Sequence, residues 1–257
     1  MRYAWDNHQK YIREYSTNSL VKKTAQFLIH KTRLWDRISA DRVDHFIANS
    51  NYIGQRIEKF YRRKSVTIHP FINPDDFTQL QQEDFFLAVG RLTSYKKFDL
   101  IVDAFNQNGL PLKIAGTGNM DGYLRGKANK NIEFLGFVDD QRLHNLYATA
   151  KALIFPQKED FGIIPLEAMS SGCPVIAFAR GGALETVIDC KTGLLFPEQN
   201  IDSLNQAIER FASCKFDRDA IVSHAQTFSQ ERFNRQFLDY LHKIWQRHQL
   251  TLEHDKY

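Results

Sequence analysis

Between residues 85 and 196, short apolar runs alternate with segments of helical period, and this constrains the fold more than any other feature of the chain. FFLAVGR (85–91), LPLKIAG (110–116), NIEFLGFV (131–138), KALIFP (151–156), PVIAFA (174–179) and TGLLF (192–196) read as strands. They are nearly continuous in apolar character, as strands buried on both faces of a parallel sheet are. DLIVDAFNQ (99–107), DQRLHNLYATA (140–150), IPLEAMSSG (164–172) and GALETVID (182–189) read as the helices between them, and the stretch up to Lys130 as helix or loop. Such alternation predicts an α/β fold, a doubly wound parallel sheet. SLNQAIERFA (203–212) and residues 229–249 read as further helices.

The first seventy residues differ. Residues 16–38 have helical period, VDHFIANS (43–50) reads as a short strand, YIGQRIEKFY (52–61) as a helix and SVTIHPFI (65–72) as a strand ended by Asn73-Pro74. The polar stretch 75–84 reads as a linker. Residues 1–70 hold 14 Lys/Arg against six Asp/Glu, a net of +8 in a chain whose net is +4. That asymmetry suits an anionic partner, and equally a solvated helix face. No recognition motif or aromatic-basic platform for nucleic acid is present, so none is expected as a partner. No apolar run approaches the ~18 residues of a membrane span. The polar opening MRYAWDNHQK predicts no secretory signal, and three cysteines without a CxxC pair predict a reduced, cytoplasmic setting. Cys173, His45, His69, His144, Trp35 and Trp245 read as structural or packing residues.

Four places at predicted strand ends carry chemistry. VGRLTSYKK (89–97) sets Gly90, Arg91 and Lys96 on one loop, where a guanidinium and an ammonium suit a diphosphate. IAGTGN (114–119) offers Gly116 and Gly118, but a lone GxG more often marks a tight turn. In EDFGIIPLEAM (159–169), Glu159 and Glu167 are separated by seven residues, and Pro165 suits an early helical position. The helix start after Phe161-Gly162 would present free N–H groups to an anion. Carboxylates beside an anion site suit sugar hydroxyls; turn capping and surface exposure are the plainer roles. In ARGGALETV (179–187), Gly181-Gly182 fits a close approach to ligand or a tight turn.

In order, GRLTSYK, GTG, FLGFV, EDFGIIPLE, GGALE and TGLLF resemble the motifs of the retaining glycosyltransferases called glycosyl transferases group 1, which have the GT-B architecture of two Rossmann-like domains. YKKFD, EDFGIIPLEAM and RGGALETV resemble the mannosyltransferase-like branch of O-antigen and capsule assembly. The resemblance implies that residues 76–228 are the C-terminal, nucleotide-sugar-binding Rossmann-like domain. Residues 1–75 would be the last part of the acceptor-side N-terminal domain, because MRYAWD resembles a segment inside that domain. Residues 229–257 would be a C-terminal helix packing back toward it.

The implied function is transfer of a hexose from a GDP- or UDP-linked sugar, with GDP-mannose favoured by the branch, to a glycan or lipid-linked acceptor in lipopolysaccharide and polysaccharide biosynthesis. Arg91 and Lys96 would stabilise the departing nucleotide without a metal or other cofactor. Glu159 and the Phe161-Gly162 backbone would hold the sugar, amides near Ile163 and Ile164 a phosphate, Glu167 the ribose, and Phe137 with Val138 the base. A lipid-linked acceptor would set the basic segment, with Lys22, Lys23, Arg33 and Arg37 beside Leu34 and Trp35, against the cytoplasmic membrane face. The ordered motifs argue against an epimerase or a phosphorylase. The alternative is a non-catalytic nucleotide-sugar-binding half that needs a partner chain for the missing N-terminal elements, or self-associates through them.

Overall fold

A computed structural model describes residues 2–6, 12, 18–73 and 80–254. The chain divides into two compact units. Residues up to Ala48 together with Ile53–Thr67 form the first; Asn49–Tyr52 together with Ile68 onward form the second. Half of the predicted linker, residues 75–79, lies outside the described residues, as do positions 16 and 17 of the predicted helix 16–38.

The first unit opens on a short turn, α1 (Arg2–Trp5), and a long helix, α2 (Ser19–Ala40). Asn18 caps α2 by accepting the Leu20 amide at 2.9 Å. Asp36 is buried and accepts both the Trp5 indole N–H (2.6 Å) and the Tyr61 hydroxyl (2.8 Å). Strands β1 (Phe46–Ala48) and β2 (Ser65–Thr67) pair in parallel, with Ile47 opposite Val66. Helix α3 (Asn51–Tyr61) lies between them in sequence. The strand predicted over 65–72 stops at Thr67. Pro70 has no N–H for a ladder, and only Ile72 makes a further bridge, to Ser229.

The second unit is a six-stranded, wholly parallel sheet. Its strands are β3 (Phe86–Val89), β4 (Leu112–Ala115), β5 (Ile132–Gly136), β6 (Leu153–Phe155), β7 (Val175–Phe178) and β8 (Gly193–Phe196), in the order β5-β4-β3-β6-β7-β8. Helices α4 (Phe98–Asn108), α5 (Asp121–Lys127), α6 (Asp140–Thr149), α7 (Ile163–Ser170) and α8 (Ala183–Thr186) fall between the strands in sequence. Helices α9 (Ile201–Ser213), α10 (Arg218–Gln226) and α11 (Gln230–His254) follow. The stretch to Lys130, read as helix or loop, contains α5.

The continuous apolar runs have a direct cause. Along β3, Phe86 and Ala88 enter one core with Ile101, Phe105 and Leu204, while Leu87 enters the other with Tyr147, Met169 and Ile221. Ile154 and Ile176 join the first core, and Phe155 and Val175 the second. Both faces of the strands are therefore buried, as in doubly wound sheets. Helix α10 escaped the sequence reading, although Asp217 caps it by accepting the Asp219 and Ala220 amides and its apolar face is Ile221 and Ala225. Trp35 and Trp245, expected as packing residues, are 60% and 59% exposed. Each stands on a face of a long helix that the described residues leave uncovered.

Candidate functional site

Strand order places the site. β3 and β6 are neighbours, and the connection after β3 runs to β4 on one side while the connection after β6 runs to β7 on the other. At such a switch point the loops diverge, leaving a crevice beyond the carboxyl ends of the strands.

After β3 the chain turns at Gly90, whose φ of +143° is a glycine conformation. Arg91 follows, exposed, and Leu92 is fully buried. Ser94–Lys96 form a single 3-10 turn ended by Lys97 in the left-handed region. The turn carries Lys96 to the loop after β6, where its ammonium pairs with the Glu159 carboxylate. These side chains are only 13% and 17% exposed, so solvent and salt screen the pair weakly.

Lys96 and Glu159 line a cleft of about 290 Å³ with Phe161, Gly162, Ile163 and Ile164, beside Asn49 and Pro70. Gly162 is the N-cap of α7 and offers no side-chain cap, so the first amides of the helix have no side-chain acceptor there. Helix-start amides and the helix dipole favour an anion. The Phe161 side chain is buried against His69 (ring centroids 5.5 Å apart) and Phe228 (6.0 Å). What Phe161 can present to a ligand is therefore backbone.

Glu167 stands in the second turn of α7 and is not a surface residue. It is partly buried and accepts the Tyr147 hydroxyl of α6 at 3.1 Å. Burial pushes its carboxyl up, offset only in part by that hydrogen bond. The buried Tyr147 hydroxyl is pushed well up as well, by burial first and then by Glu167. A carboxylate held in such surroundings is a recurrent mark of a functional site.

The profile of one sequence family, Glycosyl transferases group 1, matches residues 71–228. The chain belongs to this family. It is 33% identical over 163 residues to an uncharacterized glycosyltransferase of Methanocaldococcus jannaschii, covering 59% of this chain and 42% of that protein. It is 27% identical over 273 residues to the alpha-1,3/1,6-mannosyltransferase ALG2 of Mus musculus, covering 88% and 64%. It is also 27% identical over 187 residues to the O-antigen chain mannosyltransferase C of Escherichia coli, covering 65% and 50%. The chain thus spans about half the length of the curated relatives it matches. Among solved structures, Anabaena HepE in complex with UDP-glucose has a TM-score of 0.72 at 19% identity, covering 87% of this chain and 76% of that one. At that identity the likeness concerns the fold.

In this group 1 glycosyltransferase chain the expected site residues do not all meet. Lys96, Glu159, Phe161, Gly162, Ile163 and Ile164 share the cleft. Gly90, Arg91, Gly116, Gly118, Phe137 and Val138 lie on loops at or just beyond the carboxyl ends of β3, β4 and β5, outside the cleft's lining. Glu167 is also outside it. Phe137 is 82% exposed, whereas Val138 packs against the core.

Two glycine pairs have a cause in the chain itself. A Cβ on Gly116 would fall 1.9 Å from the Gly90 carbonyl oxygen, and one on Gly118 2.3 Å from that of Leu92. A Cβ on Gly181 would fall 2.3 Å from the Glu159 carbonyl oxygen, and one on Gly182 2.1 Å from that of Phe161. Gly181-Gly182 therefore lets the loop after β7 lie against the loop carrying Glu159; the close approach is to protein.

Glu185, the last residue of GGALE (181–185), is a hub. It is the terminal acceptor for the amides of Asn51 (2.8 Å) and Tyr52 (3.0 Å) and pairs with His69 Nε2 (2.8 Å). Nearby, the Ser50 hydroxyl donates to the Asp160 carbonyl at 2.6 Å. The sequence signal for Glu185 was its place three residues after the Gly-Gly turn.

Proposed function

We propose that this chain carries the donor half of a retaining glycosyltransferase. It moves a hexose from a nucleotide-diphosphate sugar to a glycan or lipid-linked acceptor in cell-surface polysaccharide biosynthesis. The observation that carries this reading is the Lys96–Glu159 pair in one cleft with the uncapped start of α7. A diphosphate asks for a cation and N–H donors, and a hexose for hydroxyl acceptors.

In this reading Arg91 and Lys96 hold the diphosphate and take up the charge that grows on it as the anomeric C–O bond breaks, with no metal ion needed for that charge. The acceptor oxygen bonds to the anomeric carbon on the face the phosphate leaves, and its proton passes to the departing phosphate oxygen. Configuration is thereby retained. Glu159 and the Phe161-Gly162 backbone orient the sugar, the Ile163 and Ile164 amides meet a phosphate, and Glu167 accepts ribose hydroxyls. Phe137 and Val138 lie against the base. The mannosyltransferases among the relatives favour GDP-mannose over a UDP-sugar.

A lipid-linked acceptor fits contact of α2 with the cytoplasmic membrane face. Lys22 and Lys23 lie near exposed Leu20 and Phe27, and exposed Leu34 and Trp35 stand further along the same helix, as in interfacial helices. Arg33 and Arg37 contribute less to such a surface, since Arg33 donates to the Ala4 carbonyl and Arg37 pairs with Asp41.

One further reading is a nucleotide-sugar-binding half that acts only with a partner chain. Incubation with GDP-mannose and a mannosyl acceptor, followed by proton NMR, separates the two. Nucleotide release with an axial-type anomeric signal in the product supports the enzyme. Donor binding without release supports the partner-dependent half, and an inverted product contradicts the mechanism.

A further inference from the structure

A second reactive feature lies at the opposite end of the sheet from the cleft. Asp189–Thr192 form the turn into the amino end of β8, and Cys214 is the C-cap of α9. Arg210, one turn before Cys214 on the same helix face, bridges the two segments. Its Nη2 lies 2.8 Å from Asp189 Oδ2 and 2.7 Å from Cys190 Sγ. Burial first, and then the charge of Cys190 and a hydrogen bond with it, push the Cys214 thiol up. Cys190 adopts φ +60°, uncommon for a residue with a Cβ, and its amide is tied to the Gly193 carbonyl at 2.8 Å. That conformation is part of what sets its sulfur beside the end of α9.

Accessibility sorts the three cysteines. Cys190 is exposed and Cys214 partly exposed, whereas Cys173 is fully buried and its thiol is pushed up to about 12 by burial. Cys190 is exposed and lies against both the Arg210 guanidinium and, at 3.7 Å, the Asp189 carboxylate that pairs with it.

We propose that Cys190 and Cys214 form a dithiol pair that closes reversibly to a disulfide by exchange with small-molecule disulfides. The Cys190 thiolate attacks one sulfur of the small disulfide and expels the other as a thiolate. Cys214 then gives up its proton and attacks the Cys190 sulfur, expelling the second small thiolate. Two protein thiols are oxidised and one small disulfide is reduced to two thiols. The closed bond ties the turn before β8 to the end of α9.

The test is incubation of the full chain with excess oxidised glutathione, followed by intact-mass analysis, peptide mapping and a thiol count after denaturation. The expected product has lost the mass of two hydrogens, carries a Cys190–Cys214 cross-linked peptide, keeps one free thiol at Cys173, and returns to the starting mass with dithiothreitol. Cys214→Ser should instead hold a stable glutathione adduct on Cys190. Separate glutathione adducts on both cysteines of the unmodified sequence, a cross-link between two copies, or three surviving thiols would each overturn the proposal.

Discussion

Gly182→Ala should damage both stability and nucleotide binding, for a reason of space alone. Gly182 has φ −65° and ψ −19°, values open to any residue, so alanine meets no conformational penalty. Its Cβ, however, would fall 2.1 Å from the Phe161 carbonyl oxygen and 2.3 Å from Phe161 Cα. Both are main-chain atoms that cannot rotate aside. Ordinary van der Waals separation requires the loop to retreat by roughly 1 Å or more. That loop carries Glu159 and leads into α7, so the cleft is displaced with it. Overpacking of this kind costs about 1–3 kcal/mol. For a chain of this size the melting temperature falls by roughly 2–12 °C. A reacting group misplaced by that distance costs on the order of tenfold or more in affinity or rate. Gly126→Ala is the matched control, since its Cβ in α5 meets nothing within 4 Å. It should stabilise the chain by about 0.5–1 kcal/mol. Scanning calorimetry and titration with GDP read both effects. A Gly182→Ala chain that melts and binds like the parent would refute the loop-packing argument.

Two further substitutions probe the surroundings of the cleft. Burial raises the Glu167 carboxyl above its ordinary value of 4.5, so its favourable contribution is present below that value and is lost as pH rises through the folded-state value. Glu167→Gln, neutral throughout, should therefore gain stability relative to the parent as pH rises from 4 to 8, while losing affinity for nucleotide. A stability difference that is flat across that range, by thermal melts, would contradict the assigned cause. Phe137→Ala should change stability by no more than about 0.5 kcal/mol, because the ring is 82% exposed. If the base stacks on that ring, nucleotide affinity should fall by about 1–3 kcal/mol, and unchanged affinity in titration removes Phe137 from the site.

The doubly wound sheet was legible because both faces of its strands are buried, which makes runs such as FFLAV apolar at every position. Lys96, Glu159 and the start of α7 were legible because motif order and strand ends place them at one edge. The partners of those residues were not legible. Glu185 meets the Tyr52 amide 133 positions away, and Tyr147 meets Glu167 across two helices. No local pattern encodes such contacts. The glycine pairs show the opposite limit. Their positions were plain, yet whether ligand or protein required them depended on which backbone lay opposite. Helix α10 was not read although its Asp217 cap is a local signal, and Arg218 at its first position donates to the carbonyls of Ala148 and Ser171 at the ends of α6 and α7.

Calorimetric titration of the chain with GDP and with UDP in EDTA, beside an Arg91→Ala/Lys96→Ala double variant, tests the donor-half assignment most directly. The expected result is binding of one nucleotide in preference to the other in the parent chain, lost in a variant that still melts cooperatively. Binding of neither nucleotide by the folded parent, or undiminished binding by the variant, would contradict the assignment.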